Sequence, residues 1–125
     1  MRNAFKAALI VLTLLWTVPV ASEPWDLYRA ADAYNAGDYE TALMLWRQLA
    51  EWGYEDAQQA LGFMYKNGRG VTQDYVQAHK WYNLAVSNGS DIAAKERDIV
   101  AKRMTPAQVA EAQKLAREWV AAHPR

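Results

Sequence analysis

The stretch AQQALGFMYKNGRGVTQDYVQAHKWYNLAVSNGSDIA, residues 57–93, decides the fold. In its first half Ala57, Leu61, Met64 and Tyr65 recur at the spacing of one helix face. Asn67-Gly68-Arg69-Gly70 then breaks the helix. Asp74, with Gln77 three residues on, is a capping-box-like start for a second helix. That helix carries Ala78, Trp81, Tyr82 and Ala85 on one side, and Asn88-Gly89 ends it. Asn88-Gly89-Ser90 also spells a glycosylation sequon, but the helix stop is the simpler reading. The stretch is therefore expected to be a hairpin of two helices.

Working outward, the pattern repeats. Asp38-Tyr39 recurs as Asp74-Tyr75, Trp46 as Trp81, Ala50 as Ala85, Gly53 as Gly89 and Ala57 as Ala93, each 35 or 36 residues apart. A period of that length belongs to stacked helix hairpins. In the preceding unit, a helix from Pro24 to Ala36 carries Leu27, Ala31 and Tyr34 and stops at Gly37. Asp38 caps the next, whose stripe is Tyr39, Ala42, Trp46 and Leu49. Asp56 with Gln59 is expected to cap the third. Beyond Ala93 a fifth helix, about Asp91 to Arg103, shows Ile92, Ile99 and Val100, with Asp98 and Lys102 placed for an i, i+4 pair. Thr105-Pro106-Ala107-Gln108 is a strong start for a sixth, which runs to about Ala122 with Val109, Ala112, Ala116 and Trp119 on one face. No stretch alternates with period two. The expected fold is all-α: antiparallel helix-hairpin repeats forming a short α-solenoid, in units of about 24–56 and 57–93, with C-terminal capping helices over about 94–122.

The filled positions Ala57, Leu61-Gly62, Tyr65, Gly68, Gly70-Val71, Asp74, Ala78, Trp81-Tyr82, Ala85, Gly89 and Ala93 resemble the Sel-1-like repeat, a relative of the tetratricopeptide repeat. The preceding unit matches only its second half. After Ala93, Arg97-Asp98 stands where the pattern has Leu-Gly. The pattern has a physical account. Gly62 allows helix backbones to approach closely, and Gly68 and Gly70 let the chain leave the helix. Small Ala57, Ala78 and Ala85 let helices interlock around Trp81. The resemblance implies an adaptor that binds a peptide or protein face without a covalent step. It also implies that the first helix of each hairpin lines the concave, ligand-facing side.

The chain's 125 residues suit one domain, with 52% apolar and 22% charged residues arguing against long disorder. Balanced charge, 14 basic against 14 acidic groups, leaves no electrostatic footprint for nucleic acid. The absence of cysteine excludes disulfides, thiolate metal sites and a Cys nucleophile together. Arg2 and Lys6, the uncharged run Ala7–Val18 and the small residues Val20-Ala21-Ser22 have the layout of a secretory signal peptide over 1–22. The run is too short to span a bilayer, for which roughly 20 residues are needed. Cleavage after Ala21 or Ser22 would leave a mature domain of about 23–125, periplasmic or secreted, with no stable membrane span.

Residues for catalysis are scarce. His79 has no metal-ligand partner at i+3 or i+4 and is expected at the surface or facing a partner. His123 is expected to fray with the chain end. No serine sits in a nucleophile elbow, and the glycines after Asn67 lack the lysine of a phosphate loop. Glu55-Asp56 reads as a cap and Lys95-Glu96-Arg97-Asp98 as a solvated face. No catalytic residue, metal or cofactor is expected. Trp46, Trp81 and Trp119 fall on core stripes. Two surfaces remain for a partner, expected to be another protein or peptide of the cell envelope. One is Trp52 with Tyr54, an aromatic patch beside Gly53. The other is Gln59, Phe63 and Lys66, aligned at i, i+4 and i+7 on the third helix; the family resemblance favours its Gln59 and Phe63. A cell-wall glycan stacking on Trp52 and Tyr54 is the alternative occupant. The amphipathic last helix is open between capping its own chain and making a dimer.

Overall fold

Side-chain caps set most of the helix starts in a computed structural model that describes residues 25–124. The leader expected over 1–22 lies outside the described residues. Six helices follow: α1 Asp26–Asn35, α2 Tyr39–Glu51, α3 Glu55–Asn67, α4 Tyr75–Ser87, α5 Asp91–Ala101 and α6 Pro106–Ala122. Asp38 accepts from the Thr41 amide, Asp74 from that of Gln77, and Ser90 from that of Ala93. Thr105 and Gln108 form a reciprocal capping box, with Pro106 in the first turn. Each satisfies amides that the helix itself leaves without a partner.

One start differs from expectation. Helix α3 begins at Glu55, and its N-cap is Tyr54, which makes no side-chain cap. Gly53 turns the chain at φ 91° and Tyr54 is extended, so the helix is under way before Asp56. Asp56 is no cap. It and Glu55 occupy the first turn, where negative charge complements the helix dipole.

Helices α1 to α5 pack in sequence, each against the next, as an antiparallel array must. Helix α6 instead lies chiefly on α4, so α4 is covered by α3, α5 and α6 at once. One core cluster joins Ala30, Leu45, Leu49, Leu61, Trp81 and Ala116. A second joins Ala78, Tyr82, Ala85, Ala93 and Val100. Close helix approach needs small residues at the seams, and six buried alanines of these two clusters lie in α2, α3, α4, α5 or α6.

The crowding around α4 overturns the reading of His79. Its side chain is buried, 3% exposed, and faces no solvent. Burial, followed by the nearby positive charge of Arg97, holds its pKa below the ordinary histidine value; Asp98 pulls the other way. The stripe expected on α5 is also rotated. Ala93 and Val100 face α4, while Ile92 and Ile99 stand 61% and 44% exposed. The narrow alanine permits the contact that a β-branched isoleucine would hold off. Leu45, absent from the expected α2 stripe, is fully buried.

The charged run on α5 is not simply solvated. Glu96 pairs with Lys66 of α3 at 2.6 Å, and Arg97 donates to the Asn83 side chain at 3.0 Å. Asp98 meets Arg97 at 3.5 Å in place of Lys102, which has become the C-cap. Nor is His123 frayed. Its ring stacks on Trp119 at 4.0 Å and its Nε2 lies 2.8 Å from the Glu51 carboxylate. The Trp119 indole N–H donates to the same carboxylate at 3.0 Å, tying α6 to the end of α2.

Candidate functional site: a groove along the first helices

The first helices of the hairpins, α1, α3 and α5, line a shared groove of about 600 Å³. Leu27, Tyr28, Ala31 and Tyr34 come from α1, Asp56, Gln59, Ala60 and Phe63 from α3, and Ile92 and Glu96 from α5. Trp46 of α2 and Tyr82 of α4 complete the lining. The volume is that of a small-molecule or short-peptide site, and the lining is mostly apolar and aromatic.

Aromatic packing shapes its bed. The Tyr34 ring lies 5.6 Å from Trp46 and 6.2 Å, edge-on, from Phe63. Such tilted pairs hold aromatic rings in place with little loss of freedom on binding. Phe63 keeps 43% of its surface open, and Tyr28 and Ile92 stand still further out. Three large apolar side chains left in water around one concavity mark an interaction surface rather than scattered surface residues.

The polar groups are placed by second partners. The Ser90 hydroxyl donates to Gln59 Oε1 at 2.7 Å while it accepts from the Ala93 amide. One serine thus caps α5 and fixes a groove side chain. Below, the fully buried Gln58 donates to the Ala50 carbonyl at 3.2 Å and accepts from the Asn88 amide at 2.9 Å. Asn88 also reaches the Gly53 carbonyl, so the turns ending both repeat units are joined. The segment Asn88-Gly89-Ser90 therefore ends one helix and starts the next.

The sequence expectations meet this site unevenly. Gln59 and Phe63 do line the groove. Lys66 lies beyond its lining and is engaged by Glu96. Of the other expected surface, Trp52 is 57% exposed, whereas Tyr54 is half-buried against the first core cluster as the residue leading into α3. Tyr28, Tyr34, Ile92 and Glu96 were not foreseen. A signal for the first existed, since Tyr28 lies one repeat period before Phe63. Among the described residues no group of three His, Cys, Asp or Glu is placed to hold a metal ion. No described helix is long and apolar enough to cross a membrane.

Stacked antiparallel hairpins with a groove along their first helices define a helical-repeat protein of the tetratricopeptide type. More narrowly, residues 55–90 match the family model of the Sel1 repeat. The chain carries a Sel1 repeat and takes the Sel1-like repeat fold. It is similar to the crystal structure of a protective antigen present in uropathogenic Escherichia coli strains displaying an SLR fold. The TM-score is 0.74 and the identity 28%, over 82% of this chain and 23% of that one. It is also 36% identical over 76 residues to an exopolysaccharide production negative regulator of Rhizobium leguminosarum bv. viciae, covering 60% of this chain and 28% of that protein. The chain thus spans about a quarter of the length of each. The Sel1 repeat supports a protein-interaction module as its class.

Proposed function

We propose that this chain is an exported, non-catalytic adaptor that binds a peptide or a protein face in the α1–α3–α5 groove. The carrying observation is the exposure of Phe63, Tyr28 and Ile92 around one concavity of about 600 Å³. A small concave surface suits a single linear segment and a transient complex. Export, to the periplasm or beyond, rests on the layout of residues 1–22 and places the partner in the cell envelope. The regulator from Rhizobium leguminosarum bv. viciae, by its name, is consistent with a regulatory setting for such a module. A glycan occupant is less well supported, because Tyr54 is half-buried against the core and offers less open ring surface beside Trp52.

The test is affinity capture from envelope extract with the protein as bait, beside a Gln59→Ala/Phe63→Ala variant of unchanged helicity. A protein retained by the parent and lost by the variant supports the groove. Equal retention moves the site elsewhere, with Trp52 next. Recovery of cell-wall fragments alone favours the glycan reading.

A further inference from the structure

The groove has a charge as well as a shape. Its lining contains two carboxylates, Asp56 and Glu96, and no basic side chain. Glu96 is neutralised from outside by Lys66. Asp56, exposed at the start of α3, has no ion-pair partner among the described residues. The neighbouring cations have partners of their own: Arg29 pairs with Asp26, and Arg69 with the Tyr39 hydroxyl at 2.9 Å and over the Tyr34 and Tyr39 rings, at the Tyr34 end of the groove.

The aromatic rings have the same sign. The faces of Trp46 and Phe63 carry the negative side of the ring quadrupole, which attracts ammonium and guanidinium groups, as the Tyr34 ring already does with Arg69. The Gln59 carbonyl oxygen accepts from Ser90, and its amide N–H groups have no hydrogen-bond partner among the described residues. A peptide main-chain carbonyl answers that donor, and a positively charged side chain answers the carboxylates and rings.

We infer that the groove selects a peptide segment in which an apolar side chain adjoins a lysine or arginine. The apolar group rests on Phe63, Trp46 and Ile92. The cation lies toward Asp56. The inference rests on the groove reading above and adds the chemistry of the occupant. An acidic segment would place its charge against Asp56 and is disfavoured.

Three blocked hexapeptides test it, identical in a central Leu-Phe pair and flanked by lysines, glutamines or glutamates. Fluorescence anisotropy on labelled peptides with the purified protein gives the affinities. The lysine peptide is expected to bind about tenfold more tightly than the glutamate peptide, with the ratio shrinking as salt is raised. Asp56→Asn should weaken the lysine peptide by about threefold to fivefold and leave the glutamine peptide unchanged. Phe63→Ala should weaken all that bind. Equal affinity for the three peptides overturns the charge selection, while a loss with Phe63→Ala keeps the groove itself. Preference for the glutamate peptide, or binding of none, overturns the inference. The groove reading fails separately, if the captured envelope partner ignores Gln59→Ala/Phe63→Ala.

Discussion

Gly62 and Tyr82 are in direct contact: a Cβ added at Gly62 would stand 2.5 Å from Cδ1 and Cε1 of the Tyr82 ring. Helices α3 and α4 meet there at a separation that only glycine permits. The Tyr82 ring is fully buried, and burial with the nearby Glu96 carboxylate pushes its hydroxyl pKa well up.

Gly62→Ala is therefore expected to destabilise, although alanine is the better helix former. The propensity gain is up to about 1 kcal/mol, against an overpacking cost of about 1–3 kcal/mol. The melting temperature should fall by several degrees, since about 1 kcal/mol shifts a domain of this size by roughly 4–8 °C. A rise on thermal melting would contradict the close approach. Because Tyr82 also lines the groove, the same variant should bind the partner less well.

Trp81 is 4% exposed and meets Trp119 edge-on at 6.3 Å, so it joins the hairpin core to the last helix. Trp81→Ala should lose about 3–5 kcal/mol, read as a lowered midpoint in urea. An unchanged midpoint would mean that the packing around α4 is wrong.

The repeat was legible because its residues act locally. Asp38, Asp74 and Thr105 cap helices through atoms three residues away, so each leaves a fixed spacing in the sequence. The misreadings have the opposite cause. His79 lies on α4, the helix that α3, α5 and α6 cover together, with Arg97 and Asp98 of α5 near it, and His123 is held by Glu51. Both depend on partners remote in sequence. Ile92 and Ile99 have the right spacing for a core face, but which face turns inward is decided by the small Ala93 against α4. Only the α3 side of the groove was legible: Gln59 and Phe63 share one helix, whereas Tyr28 and Ile92 join them only through stacking.

The buried His79 gives a pH dependence. Its folded pKa is lowered from 6.5, so the folded state favours the neutral ring and the unfolded chain binds more protons below that value. Stability should be full above the unfolded pKa near 6.5 and fall as the pH drops below it, toward the depressed folded pKa, by at most about 1.4 kcal/mol per pH unit for one proton. The ionic surroundings are Arg97, which opposes protonation, and Asp98, which favours it. Urea midpoints from pH 8 to 5 should decline in the parent and more gently in His79→Gln. Equal slopes would assign the decline to another group.

Helix α6 is an integral part of the core rather than a detachable arm. Ala116 belongs to the first core cluster, and Glu51 receives both the Trp119 indole and His123. Deleting the residues after Met104 should uncover Trp81 and Leu84 and abolish cooperative unfolding in circular dichroism. A shortened chain that stays helical and melts normally, yet no longer self-associates, would instead make α6 a dimer face. The Glu51→Ala variant is milder, costing about 1 kcal/mol because the carboxylate is part-exposed and screened. Its effect should be confined to faster amide exchange in α6 while α3 and α4 keep their protection. Uniformly faster exchange across all helices would show that the Glu51 contact stabilises the whole fold rather than the seating of one helix.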